Sequence, residues 1–141
     1  MKKDVSHFEI MESLEIGNAA IDGAHRKMVS IMRATKEAIL AEDLDLSRNL
    51  LGKLTKETIR HFKEEEDLLE KAGYDGLKKH AKFHNNLIKR IMAVKADCEN
   101  FLSPEKLLGC FDEMTRFMVD DIVRGDLAFK SFLQVKGLAK H

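Results

Sequence analysis

Residues 61–84 read HFKEEEDLLEKAGYDGLKKHAKFH. His61 and Glu65 stand four apart, a turn signal follows at Gly73 to Gly76, and His80 and His84 again stand four apart. Side chains four apart on a helix stack on one face. Two successive helices joined by a short turn therefore each aim a pair of metal-capable groups in one direction. The remainder of the chain reads as support for that constellation.

Outward from this stretch, apolar residues recur at three and four, the helical signature. The spacing predicts helices over 21–41, 45–72, 76–100 and 104–124. The first carries Ile21, His25, Met28, Met32, Thr35 and Ile39 on one stripe. The second opens at Asp45 as N-cap, carries Leu50, Leu54, Thr58, His61, Glu65, Leu68 and Ala72, and stops at Gly73. The third aligns Leu77, His80, His84, Leu87, Ile91, Val94, Cys98 and Phe101. The fourth opens with Ser103-Pro104-Glu105, an N-cap, a first-turn proline and an acid, and aligns Leu107, Cys110, Met114, Phe117 and Asp121. Gly125 reads as a break, and 126–138 as a final apolar segment. Residues 1–20 lack a sustained period and read as an arm lying on the domain, with His7 a bystander. Glu64, Glu66 and Asp67 read as a solvated face. Short connections between four long helices give an all-α, up-down-up-down antiparallel four-helix bundle with an N-terminal arm.

Composition agrees with that architecture. The 141 residues suit one domain, 1–141, able to own a core without metal or disulfide. One proline and eight glycines leave little material for β-turns. Lys+Arg and Asp+Glu both number 24, so no net positive field collects nucleic acid or anionic membrane. The N-terminal stretch holds no apolar run long enough for a signal peptide or a span, which gives a cytoplasmic reading. Cys98 and Cys110 then read as thiols serving as small core residues, with a redox pair as the sharper alternative.

Antiparallel order sets the starts of the first and third helices beside the ends of the second and fourth. His25, His61, Glu65, His80, His84 and Asp121 then fall in one layer. A single histidine on an apolar face is more often a hydrogen-bonded core residue than a ligand. Here four histidines and at least two carboxylates share a layer, and burying them without a compensating charge would cost several kcal/mol each. No thiolate lies in the layer, so a structural zinc of the cysteine type is disfavoured. Mixed imidazole and carboxylate donors, too many for one ion, point to a pair of irons, with zinc or manganese not excluded by residue type.

At this point the chain resembles the hemerythrins, specifically the single-domain bacterial ones. The matching pieces are IDGAH (21–25), HFKEEE (61–66), HAKFH (80–84) and DIVRGD (121–126). The resemblance implies two non-haem iron ions with a bridging oxo or hydroxo group. By position, His25 and His61 would hold one iron, and His80, His84 and residue 121 the other. Glu65 and Asp126 would bridge them, and a vacant position would take dioxygen or another small diatomic or peroxide ligand, served by a redox partner. Two departures stand out: Asp121 where the family usually has histidine, and Met11 where an aromatic is usual. Asp121 either ligates, which its stripe favours, or orients His80 or His84, or marks a degenerate site. Five residues is about 140° around an ideal helix, so Asp121 and Asp126 cannot both face inward on a straight one. The expected function is dioxygen binding for storage, delivery or sensing. The alternatives are a di-iron enzyme acting on oxygen, peroxide or nitric oxide, favoured if Asp121 ligates, and an iron store or metal-binding bundle.

Overall fold

The computed structural model describes residues 11, 14–100 and 103–140. Phe8, Ile10 and His7 of the expected arm, and Phe101, lie outside the described residues. Among the described residues the chain forms four helices and no strand: α1 (Ala19–Leu40), α2 (Leu44–Ala72), α3 (Leu77–Glu99) and α4 (Pro104–Val135). None of them is long and apolar enough to cross a membrane.

Local chemistry sets the boundaries. The Asn18 side chain accepts from the Ala20 and Ile21 amides, both at 3.1 Å, and starts α1 two residues ahead of the expected position. Asp43, not Asp45, caps α2, accepting from the Leu46 amide at 3.1 Å. At the other end Gly73 takes the left-handed conformation, φ 76°, and the Tyr74 amide returns to the Leu69 carbonyl at 3.0 Å. Buried hydroxyls turn back onto their own helices: Thr35 donates to the Ile31 carbonyl at 2.7 Å and Thr58 to that of Leu54 at 2.8 Å.

Each helix packs on two neighbours: α1 on α2 and α4, and α3 on α2 and α4. Contacts between His25, early in α1, and Asp126, late in α4, fix their antiparallel sense. Those between Glu65, late in α2, and His80, early in α3, do the same for that pair. This is the all-α four-helix bundle the periodicity predicts.

Two expectations fail. The fourth helix does not break at Gly125 but runs on to Val135, so 126–135 continues α4. Gly125 instead permits a close approach, since a Cβ there would stand 2.9 Å from Phe83 Cε2 and 3.3 Å from His80 Cε1. Cys98 and Cys110 are not thiols: a disulfide joins them, with Cα atoms 5.7 Å apart, inside the ordinary span for such a bond.

The core is divided, and the division places the site. A larger apolar cluster holds Met28, Met32, Leu54, Phe62, Leu87, Phe111, Met118 and Ile122, among others. A smaller one holds Ile16, Ile21, Leu69, Phe129, Leu133 and Ala139. On every helix a polar layer separates them: Ile21, then His25, then Met28 on α1; Phe62, then Glu65, then Leu69 on α2. Residues at both chain ends close the smaller cluster. Asp22 accepts from the Ile16 and Gly17 amides at 2.9 and 3.1 Å, and the Lys140 amide donates to the Gly17 carbonyl at 3.0 Å.

Candidate metal centre

Six ionisable side chains occupy that layer. His25, His61, Glu65, His80, His84 and Asp126 are all buried, none more than 7% exposed. They form two groups that share one member. His25, His61, Glu65 and Asp126 bring one donor atom each within 4.8 Å of one another, and so do Glu65, His80 and His84. The shared carboxylate is split between them. Glu65 Oε2 faces His61 Nε2 at 3.2 Å, whereas Oε1 faces His80 Nε2 at 2.7 Å and His84 Nε2 at 3.1 Å. Asp126 Oδ2 lies 2.6 Å from His25 Nε2 and 4.0 Å from His61 Nε2.

Hydrogen bonding covers only part of this closeness: Glu65 Oε1 accepts from His80 Nε2 at 2.7 Å. His25 Nδ1 and Nε2, His61 Nε2, Glu65 Oε2 and Asp126 Oδ2 are buried without a hydrogen-bond partner. Each orphaned buried polar atom costs about 1–3 kcal/mol, more when charged. Apart from His25 Nδ1, on the far side of its ring, these atoms belong to one group of four residues whose donor atoms lie within 4.8 Å of one another. A cation would satisfy such atoms, and the donor set of imidazoles and carboxylates fits a transition metal.

Electrostatics points the same way. Burial opposes charge on His61 and His84, but the neighbouring carboxylates prevail and hold both imidazoles above their ordinary range. Burial would also raise Glu65, yet His61, His80 and His84 hold it well below the usual carboxylate range. Asp126 is pushed up to about 6, first by burial and then by the charge of Glu65, with His25 and His61 pulling against that. The cluster as it stands lacks positive charge. Protons can supply it, and so can metal ions.

Packing fixes the donors. Phe62 stacks on the His84 ring, centroids 4.0 Å apart and planes within 5°, and Phe129 meets the His80 ring edge-on at 5.1 Å. A cavity of about 310 Å³ between α1 and α2 reaches His61 and Glu65, bordered by Ile21, Leu68 and Lys71.

The model of the hemerythrin HHE cation binding domain matches residues 17–124. The chain belongs to the hemerythrin family. Bacteriohemerythrins from Pseudomonas paraeruginosa and Pseudomonas aeruginosa are 28% identical to it over 87 residues. That match covers 62% of this chain and 57% of each relative, so the chain spans little more than half the length of the curated relatives it matches. No solved structure matches it. Asp126 lies beyond the family match, and it is the structure that brings it to His25.

Within this hemerythrin layer one expected donor is missing and one unexpected residue is present. Asp121 is outside both groups. It is half-buried at the edge of the bundle, 3.4 Å from Arg90 Nη1, and that guanidinium lies 4.1 Å over the Phe117 ring. Because α4 is unbroken, the angular offset between residues five apart stands, and Asp126 takes the inward place. The reading of Asp121 as a ligand is corrected accordingly. Glu66, expected on a solvated face, instead accepts from His84 Nδ1 at 3.0 Å, which aims Nε2 into the layer. Its signal lies on α3 and not in the α2 pattern.

Proposed function

We propose that this hemerythrin-family chain is a non-haem di-iron protein that binds dioxygen. The observation that carries the reading is the division of Glu65 between two donor groups, one oxygen toward each. In it, His25, His61 and Asp126 would hold one ion, His80 and His84 the other, and Glu65 would offer one oxygen to each. Bound as a ferrous pair, the irons would supply the electrons and open positions that dioxygen binding needs.

The chain's own residues do the rest. Glu65 and Asp126 would neutralise bound cations in a layer that lies between two apolar clusters. Glu66 keeps the His84 Nδ1 proton, so that Nε2 presents a lone pair. Phe62 and Phe129 hold the imidazole planes against rotation. The cavity beside Ile21 and Leu68 offers a small molecule its approach to the His61 side.

The enzymatic alternative drew its support from a carboxylate ligand at position 121. With Asp121 paired to Arg90 that support is gone, and oxygen binding is the reading retained. The test is anaerobic reconstitution with ferrous iron, then optical spectra before and after oxygen, and with azide. Charge-transfer bands that form with oxygen and reverse under vacuum support it. Bands that never form, or bands that form with oxygen and do not reverse, refute it.

A further inference from the structure

Far from the polar layer, the ends of α3 and α4 are joined through Cys98 and Cys110. His84 and Cys98 are fourteen residues apart on α3, ~21 Å along its axis, so this pair is separate from the metal centre. The two cysteines are placed unequally. Cys98 is 0% exposed and belongs to the larger apolar cluster. Cys110 is half-buried and borders a surface hollow of about 660 Å³ with Val94, Asp97, Asn100, Lys106, Gly109 and Glu113. At Gly109 even an added Cβ would meet nothing within 4 Å, so the hollow is open beside Cys110.

We propose that Cys98 and Cys110 are a reversible thiol–disulfide pair, closed by hydroperoxides and opened by small dithiols, with Cys110 as the sulfur that reacts. On closing, the Cys110 thiolate attacks one oxygen of the hydroperoxide. The O–O bond breaks, the second oxygen leaves as water or alcohol after taking a proton, and Cys110 becomes a sulfenic acid. The Cys98 thiolate then attacks that sulfur, forming the S–S bond and releasing water. Two thiols are oxidised and one hydroperoxide is reduced. On opening, an external thiolate enters the hollow and attacks Cys110 Sγ. The S–S bond breaks, Cys98 leaves as thiolate and takes a proton, and the second thiol of the reductant releases Cys110.

Access selects Cys110. Lys106, one helical turn before it, favours a thiolate, whereas Asp97 and Glu113 on the same hollow oppose one, so a strongly depressed thiol pKa is not what distinguishes it. Cys98 has no such approach and serves to resolve the sulfenic acid, because its sulfur faces that of Cys110 across the helix pair.

The test uses the whole chain in native buffer, metal-free and iron-loaded in parallel. Dithiothreitol should release two thiols without denaturant, and iodoacetamide should then label Cys110 ~10-fold or more faster than Cys98, by peptide mapping. One equivalent of hydrogen peroxide should restore the bond, read as loss of two hydrogens in the intact mass. In Cys98→Ser, peroxide should leave a dimedone-reactive sulfenic acid at position 110. In Cys110→Ser none should form. A bond that opens only in denaturant, equal labelling of the two sulfurs, or thiols that survive peroxide would overturn the proposal. The metal-free protein should show all of this by itself, which keeps the proposal separate from the di-iron reading, and a requirement for iron would overturn it.

Discussion

Glu66 offers a graded perturbation of one half of the metal layer. Its carboxylate lies 3.0 Å from His84 Nδ1, on the side of the ring away from Glu65. Glu66→Gln leaves an oxygen that can still accept the Nδ1 proton but removes its charge. A charge-assisted hydrogen bond is about twice as strong as a neutral one, so the exchange weakens and does not abolish the hold on the ring. Glu66 is 29% exposed, so water replaces part of what is lost. Removing a residue that orients a metal-binding histidine costs about 10–100-fold in metal affinity. The partial exposure puts Glu66→Gln near ~10-fold, about 1.4 kcal/mol, and Glu66→Ala, which loses the acceptor as well, nearer ~100-fold. The loss should fall on one of the two ions, the one beside His80 and His84. Chelator competition against the reconstituted protein, fitted for two sites, reads this directly. Glu64→Gln is the control, because Glu64 is exposed two residues away and pairs with Arg60 at 3.0 Å. Equal weakening of both ions, or an effect of Glu66→Gln no larger than that of Glu64→Gln, would refute the orienting role.

Other perturbations follow from the same layer. Thermal melts of the metal-free protein should lose stability as pH rises above about 4.5, through Asp126 until about 6 and through His61 and His84 above 6.5, and the iron-loaded protein should not. The sign follows from the direction of each shift. Asp126, raised to about 6, and His61 and His84, also raised, contribute stability at low pH that is lost as pH climbs through their folded values. Glu65, lowered, contributes above its unfolded value and loses that contribution only as pH falls through its folded one. Asp121→Ala should leave iron content unchanged and cost under about 1 kcal/mol in denaturant melts, since its pairing with the exposed Arg90 is worth little. Gly125→Ala should crowd Phe83 and His80, costing about 1–3 kcal/mol against a helix-propensity gain of up to about 1, and should weaken the ion beside His80 in the same chelator assay.

The stripes on α1 and α3 and the middle of the α2 stripe were readable because three and four spacing is uninterrupted there and polar residues stand at apolar positions; at the ends of α2 the buried residues are Leu51 and Leu69, not Leu50 and Leu68. The fourth helix misled because two ladders run along it. One climbs through Leu107, Cys110, Met114 and Phe117 to Asp121, and the other through Phe111, Thr115, Met118, Ile122, Asp126, Phe129 and Leu133. Only the second is buried throughout. Its continuation beyond Asp126 decides between them, and reading Gly125 as a break concealed it. Glycine costs a helix about 1 kcal/mol, which tertiary packing against Phe83 and His80 outweighs. Glu66 was illegible because a periodic pattern shows what faces the core of its own helix, not which side chain reaches a ring on the next one. The Cys98–Cys110 bond was half legible: both residues lie on stripes near facing helix ends, but composition alone does not fix their redox state.

The most direct measurement is anomalous diffraction at the iron edge from crystals of the reconstituted protein. The account predicts two peaks about 3.5–4 Å apart, one beside His25, His61 and Asp126, the other beside His80 and His84, with the Glu65 carboxylate lying across them and Asp121 touching neither. A single peak, or a layer without one whose imidazoles and carboxylates bond only to each other and to water, would contradict it.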